Sequence, residues 1–187
     1  MIIRDKHFKF DDRCFTHRGV IIDIGCLTWD WSSYFIGKGK NVIGFDCNEM
    51  EQPVGAELRK QMVLPYSGKC FIYGDLGAAS AMNICDKNNE TKYEVVSLDS
   101  VLLEFTIMPS LIKMNIEGSE YPLLFSLKAP PSDQLIVSFH DWDNFPYPKK
   151  LSEVVRDYLS VWYEWRLTSK AYSWWMGLLR EEFRTIT

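Results

Sequence analysis

The sequence predicts an α/β fold, a doubly wound and mostly parallel sheet of the Rossmann-like kind that ends in a C-terminal antiparallel hairpin. Three observations predict it. Short runs rich in Val, Ile and Leu alternate with stretches of helical spacing, the pattern of strands buried on both faces. Each run stops at an acid, an amide, a glycine or a histidine, and open parallel sheets bind ligands just beyond the carboxyl ends of their strands. Finally, residues 163–168 and 174–179 alternate about the segment Ser169-Lys170-Ala171-Tyr172-Ser173, as a hairpin does.

At 187 residues, of which 47% are hydrophobic, the chain is long enough to bury an ordinary core as one domain over 1–187. Within it we expect an N-terminal extension over 1–19, a ligand-binding core over 20–142, and a helix with the terminal hairpin over 143–187. A net charge of −4 gives no general attraction for nucleic acid. The cysteines (Cys14, Cys26, Cys47, Cys70 and Cys85) are odd in number and never spaced C-x-x-C, so they read as reduced thiols and not as a disulfide frame or zinc site. There is no signal-peptide pattern and no apolar run of bilayer length. These features predict a cytoplasmic protein with no membrane span.

In the extension, Phe8, Phe10 and Phe15 are expected to lie across a sheet edge or a pocket mouth. Val20-Ile21-Ile22-Asp23-Ile24-Gly25 is the first strand of the core, and the turn after it, continuing Cys26-Leu27-Thr28, is the first candidate binding element. Gly25 lets backbone approach a ligand, Asp23 suits a cationic amine, and the start of the following helix offers free N–H groups to an anion. That helix is expected to take Asp30 as its N-cap and to turn Trp31, Tyr34 and Phe35 inward.

Asn41-Val42-Ile43-Gly44-Phe45-Asp46 is the second strand. Asp46 lies 23 residues beyond Asp23, near the roughly 20-residue offset at which nucleotide-binding units place a carboxylate on ribose. A carboxylate can accept from both vicinal hydroxyls at once. A lone strand-end acid suits a helix cap equally well, but two at this spacing favour a site. Residues 53–63 carry Val54, Leu58 and Met62 at four-residue steps and read as a helix ended by Pro65 and Gly68. Residues 69–73 read as a third strand that delivers Asp75 to an exocyclic amine and Leu76 to a ring face.

Beyond a polar loop, residues 95–98 form a strand, and Asp99-Ser100 is expected to cap a short helix with Val101, Leu102 and Phe105 inward. Residues 111–116 form the next strand and lead through Glu117-Gly118-Ser119-Glu120 into a helix burying Tyr121, Leu124 and Leu127. Residues 135–139 are a further buried strand, ending at His140-Asp141-Trp142-Asp143. Leu151, Val154, Val155, Tyr158, Leu159 and Trp162 carry the i, i+3, i+4, i+7 spacing of a helix with one buried face. Trp165, Trp174 and Trp175 in the hairpin read as core and edge cover.

The chain resembles the FkbM family of class I S-adenosylmethionine-dependent methyltransferases. The resemblance rests on the first two strands and their acids. It is carried more specifically by Val96-Ser97-Leu98-Asp99-Ser100 followed by Leu111-Ile112-Lys113-Met114-Asn115-Ile116-Glu117-Gly118-Ser119-Glu120. It covers residues 18–142. It implies S-adenosylmethionine as cofactor, with Asp23, Gly25, Cys26 and Leu27 around the methionine moiety. Asp46 and Cys47 would lie at the ribose, and Asp75 and Leu76 at the adenine. Residues 115–118 would lie where the methyl group meets its acceptor. It further implies O-methylation of a hydroxyl on a sugar, other glycan or small-molecule acceptor.

The sequence departs from the family pattern at two positions. Trp29 stands where a small residue is usual, and its indole would either crowd the methionine end or turn aside under the N-terminal segment. Asn115 stands where Asp is usual, and an amide carries neither a base nor a charge. An alcohol acceptor needs a base, for which His140, Glu117 and Asp141 are the candidates, His140 first. Phe145, Tyr147 and Trp142 would floor an acceptor pocket or seal the sheet edge.

Three other readings stand beside this one. A degenerate relative would keep the fold as a binding or scaffold domain, as Trp29 and Asn115 suggest. A nicotinamide oxidoreductase is disfavoured because G-x-G-x-x-G is missing after the first strand. A divalent metal at His140, Asp141 and Asp143 is not required by their spacing, and no metal is expected. With little room for an acceptor-binding insertion, an open face, a partner protein or a second copy of the chain would complete the acceptor pocket.

Overall fold

A computed structural model describes residues 2–5, 8–11, 19–71, 92–140, 151–169 and 173–184. The central element is a seven-stranded sheet. Its first parallel strands are β3 (Ile21–Ile24) and β4 (Val42–Phe45), after two N-terminal strands, β1 (Ile2–Asp5) and β2 (Phe8–Asp11), that pair only with each other. The sheet continues outward through β5 (Ala56–Arg59) and inward through β9 (Leu111–Met114) and β10 (Gln134–Ser138). It closes with the antiparallel pair β11 (Tyr163–Ser169) and β12 (Trp174–Leu179). The spatial order is β11-β12-β10-β9-β3-β4-β5. The five strands from β10 to β5 are parallel, and β12 joins β10 antiparallel. The mixed α/β class, the mostly parallel sheet and the closing hairpin therefore agree with the expectation.

Strand alternation sorts side chains into two layers. Ile22, Ile24, Ile43, Phe45, Ile112, Met114, Leu135 and Val137 face one side. There they pack on α2 (Leu98–Leu102), α3 (Glu120–Phe125) and α4 (Leu151–Leu159) through Val101, Leu124, Val155 and Leu159. Ile21, Val42, Leu111, Ile136, Met176 and Leu178 face the other side, under α1 (Ser33–Ile36) and the rings of Phe10, Trp29, Trp31 and Phe35. Phe10 thus covers a sheet face, held there by Gln134, whose side chain bonds both the N–H and the carbonyl of Asp11. Phe8, Phe15 and residues 141–147 fall outside what can be placed by side chain.

Several elements differ from their predicted form. Residues 53–63 are not a helix: a turn at Gly55 (φ 91°) leads into β5 and then β6 (Met62–Leu64), and Val54 is 97% exposed. Three apolar residues at four-residue steps mimicked a helical face, whereas Ala56-Glu57-Leu58-Arg59 carries the alternation of an edge strand. The expected third strand forms as β7 (Gly68–Phe71), but in a separate three-stranded sheet of order β6-β8-β7, with β8 at Lys92–Ser97. The third parallel strand of the main sheet is β5.

Asp30 does not cap α1, which is a single turn following Ser32; its carboxylate accepts from the Thr28 hydroxyl. The cap of α2 is Ser97, two residues before Asp99, and its Oγ accepts from the Ser100 N–H at 3.1 Å. In α4 the buried stripe is Ser152, Val155 and Leu159, while Val154 and Tyr158 are exposed. The Tyr158 ring instead lies against Phe125 and its hydroxyl donates to the Leu127 carbonyl. A short α5 (Glu181–Arg184) follows the hairpin. No helix among the described residues is long and apolar enough to cross a membrane.

Candidate functional site

Beyond the carboxyl ends of β3, β4 and β9 lies a cleft of about 610 Å³, counted to its open mouth. This is the position where open parallel sheets bind ligands. The turn after β3 contributes Gly25 and Leu27, and the end of β4 contributes Asp46, Cys47 and Asn48. Gln61 and the β6 residues Met62, Val63 and Leu64 form a third wall. Asn115, Ile116, Glu117 and Ser119 after β9 form the fourth.

Gly25 sits where these walls meet. Its N–H donates to the Phe45 carbonyl at 2.8 Å, and its φ is 78°. A Cβ added there would lie 2.1 Å from the Asn115 carbonyl oxygen, so only glycine fits between β3 and β9. The conformation spreads along both turns that edge the cleft: Leu27 (φ 27°), Trp29 (φ 58°) and Glu117 (φ 52°) are also left-handed. Non-glycine residues in that region carry strain that surrounding structure must hold, and such strain gathers at functional sites.

Asp46 ties two of the walls together. Its Oδ2 accepts from the Leu27 N–H at 2.9 Å, and its Oδ1 accepts from the backbone and side-chain N–H groups of Asn48, both at 2.9 Å. Three of about four carboxylate lone-pair positions are therefore filled. One acceptor position on Oδ2 is left for a ligand hydroxyl, fewer than the two the sequence suggested.

Around β9 the acids form a chain with His140. Glu120 is fully buried and binds the loop before it: Oε1 accepts from the Ile116 N–H at 2.8 Å and Oε2 from the Gly118 N–H at 2.7 Å. The same Oε1 lies 2.9 Å from His140 Nδ1. On the other side of the ring, His140 Nε2 lies 3.4 Å from Glu117 Oε2. Burial pushes the Glu117 carboxyl above its ordinary range; His140 and Lys113 draw it back down, and Glu120 adds to the rise. Ser119, on the cleft wall beside them, has a fully buried hydroxyl with no partner among the described residues. The Asn115 and Gln61 side-chain amides likewise have no described hydrogen bond.

Of the predicted site residues, the cleft brings together Gly25, Leu27, Asp46, Cys47, Asn115 and Glu117, with His140 behind Glu117. Two others face the opposite side of the sheet. Asp23 is fully buried there, its Oδ1 2.8 Å from Lys113 Nζ and its Oδ2 accepting from the Ser32 hydroxyl at 2.5 Å. Cys26 lies beside Trp29 and Gly44, its Sγ 3.7 Å from Met50 Sδ, and burial pushes its thiol well above the usual range. Neither is a wall of the cleft. Asp75, Leu76 and Asp141 lie outside the described residues, as do Trp142, Asp143, Phe145 and Tyr147.

Trp29 takes the second of its two expected courses. Its indole is 5% exposed and lies across Gly44 in the aromatic layer with Phe10, leaving the cleft clear. Gln61, Met62, Asn48, Ser119 and Glu120 were not among the predicted site residues. The alternation of β5 would have exposed the first two, since it moves the third strand end to residue 60. The spacing of Glu117 and Glu120 about a glycine would have flagged the last. Among the described residues no group of three or more His, Cys, Asp or Glu side chains is arranged to hold a metal.

No protein-family model and no curated protein matches the chain. A solved structure that resembles it is WbdD in co-crystals with the kinase inhibitor LY294002. The TM-score is 0.46 at 14% sequence identity, over 90% of this chain and 37% of that one. The chain thus spans little more than a third of that protein's length.

Proposed function

We propose that this chain is an S-adenosylmethionine-dependent methyltransferase of the FkbM kind, acting on a hydroxyl of a sugar or small-molecule acceptor. The observation that carries the reading is the cleft at Gly25, where a glycine-only turn, Asp46 and the Asn115–Glu117 loop converge from three strand ends. These residues fit an adenosyl ligand. The close β3–β9 approach at Gly25 draws the two strand ends together at the cleft, Asp46 keeps one acceptor position for a ribose hydroxyl, and the unpaired Gln61 amide and apolar Met62 suit a base edge and face.

Bound S-adenosylmethionine supplies a methyl group activated by its sulfonium. The chain's own residues have two tasks, alignment and removal of the acceptor's proton. Alignment falls to the fixed turns at Gly25 and Glu117. The proton leaves toward His140 by way of Glu117, the member of that pair on the cleft wall. Glu120 fixes the imidazole through Nδ1 and keeps Nε2 turned to Glu117. A partner protein or second copy would complete the acceptor pocket. Isothermal calorimetry with S-adenosylhomocysteine tests the reading: the expected result is saturable binding, weakened by Asp46→Ala. Absence of binding by the folded chain overturns it.

The neutral Asn115 amide favours one other reading, a domain that binds the ligand without turning it over. Binding of S-adenosylhomocysteine with no methyl transfer to any hydroxyl acceptor in a mixed extract would support that alternative.

A further inference from the structure

Among the described residues the cleft contains few charges, and their placement is specific. Asp23, the acid best suited by sequence to a cationic ligand group, is neutralised by Lys113 on the far face of the sheet. Asp46 shares its charge among three N–H donors. Asn115 is an amide. We infer that Glu117 is the counter-charge for a cationic centre of the ligand, and that it gives the cleft its preference for a sulfonium or ammonium over a neutral group of the same shape. The inference rests on the adenosyl reading above and deepens it.

The geometry around Glu117 is built for this. The left-handed pair Glu117 (φ 52°) and Gly118 (φ 96°) turns the side chain onto the cleft wall. Glu120 clamps the loop through the Ile116 and Gly118 N–H groups, so the backbone that carries Glu117 is fixed before any ligand arrives. Among the described residues Glu117 accepts no hydrogen bond, and its nearest charged neighbour is His140 at 3.4 Å. Next to it, the buried Ser119 hydroxyl has no partner and lines the same cleft. A partly buried, under-partnered carboxylate on the cleft wall suits a cationic ligand group. The charged groups that face Glu117 are His140 beyond β10, Glu120 on α3 and Lys113 on β9. As pH falls, protonation of Glu117 removes the negative charge there, so the preference fades in acid.

Two ligands that differ only at the sulfur position test this by calorimetry on the full chain. S-adenosylhomocysteine carries a neutral thioether, and sinefungin carries a protonated amine in its place. At neutral pH the unaltered chain is expected to prefer sinefungin by about tenfold, a discounted Coulomb estimate for a partly exposed carboxylate. That preference should shrink as the pH is lowered and the carboxylate takes up its proton. In Glu117→Gln it should fall to within about twofold at neutral and at lowered pH alike. The pH arm uses the unaltered chain and stands whether or not the variant folds. Thioether binding without charge preference, or a preference that survives Glu117→Gln, overturns the inference alone. Failure of both ligands to bind overturns the adenosyl reading and takes the inference with it.

Discussion

Replacing Lys113 by methionine is expected to cost the fold about 3–5 kcal/mol, the range for deleting one partner of a buried ion pair. Lys113 and Asp23 occupy registered positions of β9 and β3, their side chains 5% and 1% exposed, with Nζ 2.8 Å from Oδ1. Two losses combine. The Asp23 carboxylate would remain in an apolar layer beside Trp29, with the Ser32 hydroxyl as its remaining donor among the described residues. The Gly25 carbonyl would lose the Nζ donor it accepts from at 2.6 Å, a charged hydrogen bond of the kind that contributes about 1.5–3 kcal/mol.

The second loss falls within the total, because one deletion causes both. For a chain of this size each kcal/mol moves the midpoint by about 2–4 °C, so melting should fall by roughly 6–20 °C. Calorimetry and urea unfolding measure it, and a double-mutant cycle with Asp23→Asn gives the coupling. The double variant should be less damaged than Lys113→Met alone, since no buried charge is left behind. A Lys113→Met cost below about 1 kcal/mol, or simple additivity in the cycle, would refute the reasoning.

Gly44→Ala should destabilise by about 1–3 kcal/mol, because the new Cβ would lie 2.4 Å from Trp29 Cη2 and 2.8 Å from Cys26 Sγ. Trp29→Phe should recover part of that loss in the double variant, as read by thermal melts. Glu120→Gln should cost about 2 kcal/mol, since one amide oxygen cannot serve the Ile116, Gly118 and His140 donors together; urea unfolding checks it. Glu117→Gln should raise the melting temperature at neutral pH and leave it unchanged near pH 4, about the ordinary glutamate value. The sign follows from the proton balance. Burial makes the folded chain hold the Glu117 proton more tightly than the unfolded chain, so stability falls as pH rises from the ordinary glutamate range through the raised value. The glutamine removes that loss, and equal melting shifts at both pH values would contradict it.

The central parallel strands were legible because buried parallel strands leave apolar runs with little else to explain them, as Ile21–Ile24 and Leu111–Met114 do. The edge strand β5 was not. Two of its four residues are charged, Glu57 and Arg59, whose Nε and Oε1 pair at 2.6 Å, with Glu104 on the other guanidinium nitrogen. Charges of that kind protect a sheet edge and erase the apolar signal that marks a central strand. That single miss hid the wall formed by Gln61 and Met62. Gly25, Asp46 and Glu117 were found because each follows an apolar run directly. Glu120 was missed because its carboxylate binds the Ile116 and Gly118 N–H groups and not the cleft wall, a role only the E-G-x-E spacing hints at.

Asp23 shows the limit of reasoning from strand ends alone. Being near the carboxyl end of β3 does not place a side chain in the cleft; parity and register decide. The row Lys113–Asp23–Gly44 crosses β9, β3 and β4 at matched positions, so the side chains of Lys113 and Asp23 share a face, and the missing side chain of Gly44 leaves a hollow beside them. Trp29 fills that hollow, with the left-handed turn after β3 delivering its indole there. An alanine at 44 would close the hollow and force the indole to seek other space, toward the N-terminal layer or toward the cleft. One glycine therefore decides whether the bulky residue at the start of the turn obstructs the site. The same row that removes Asp23 from ligand contact keeps the entrance open, and leaves Glu117 to meet the ligand's charge.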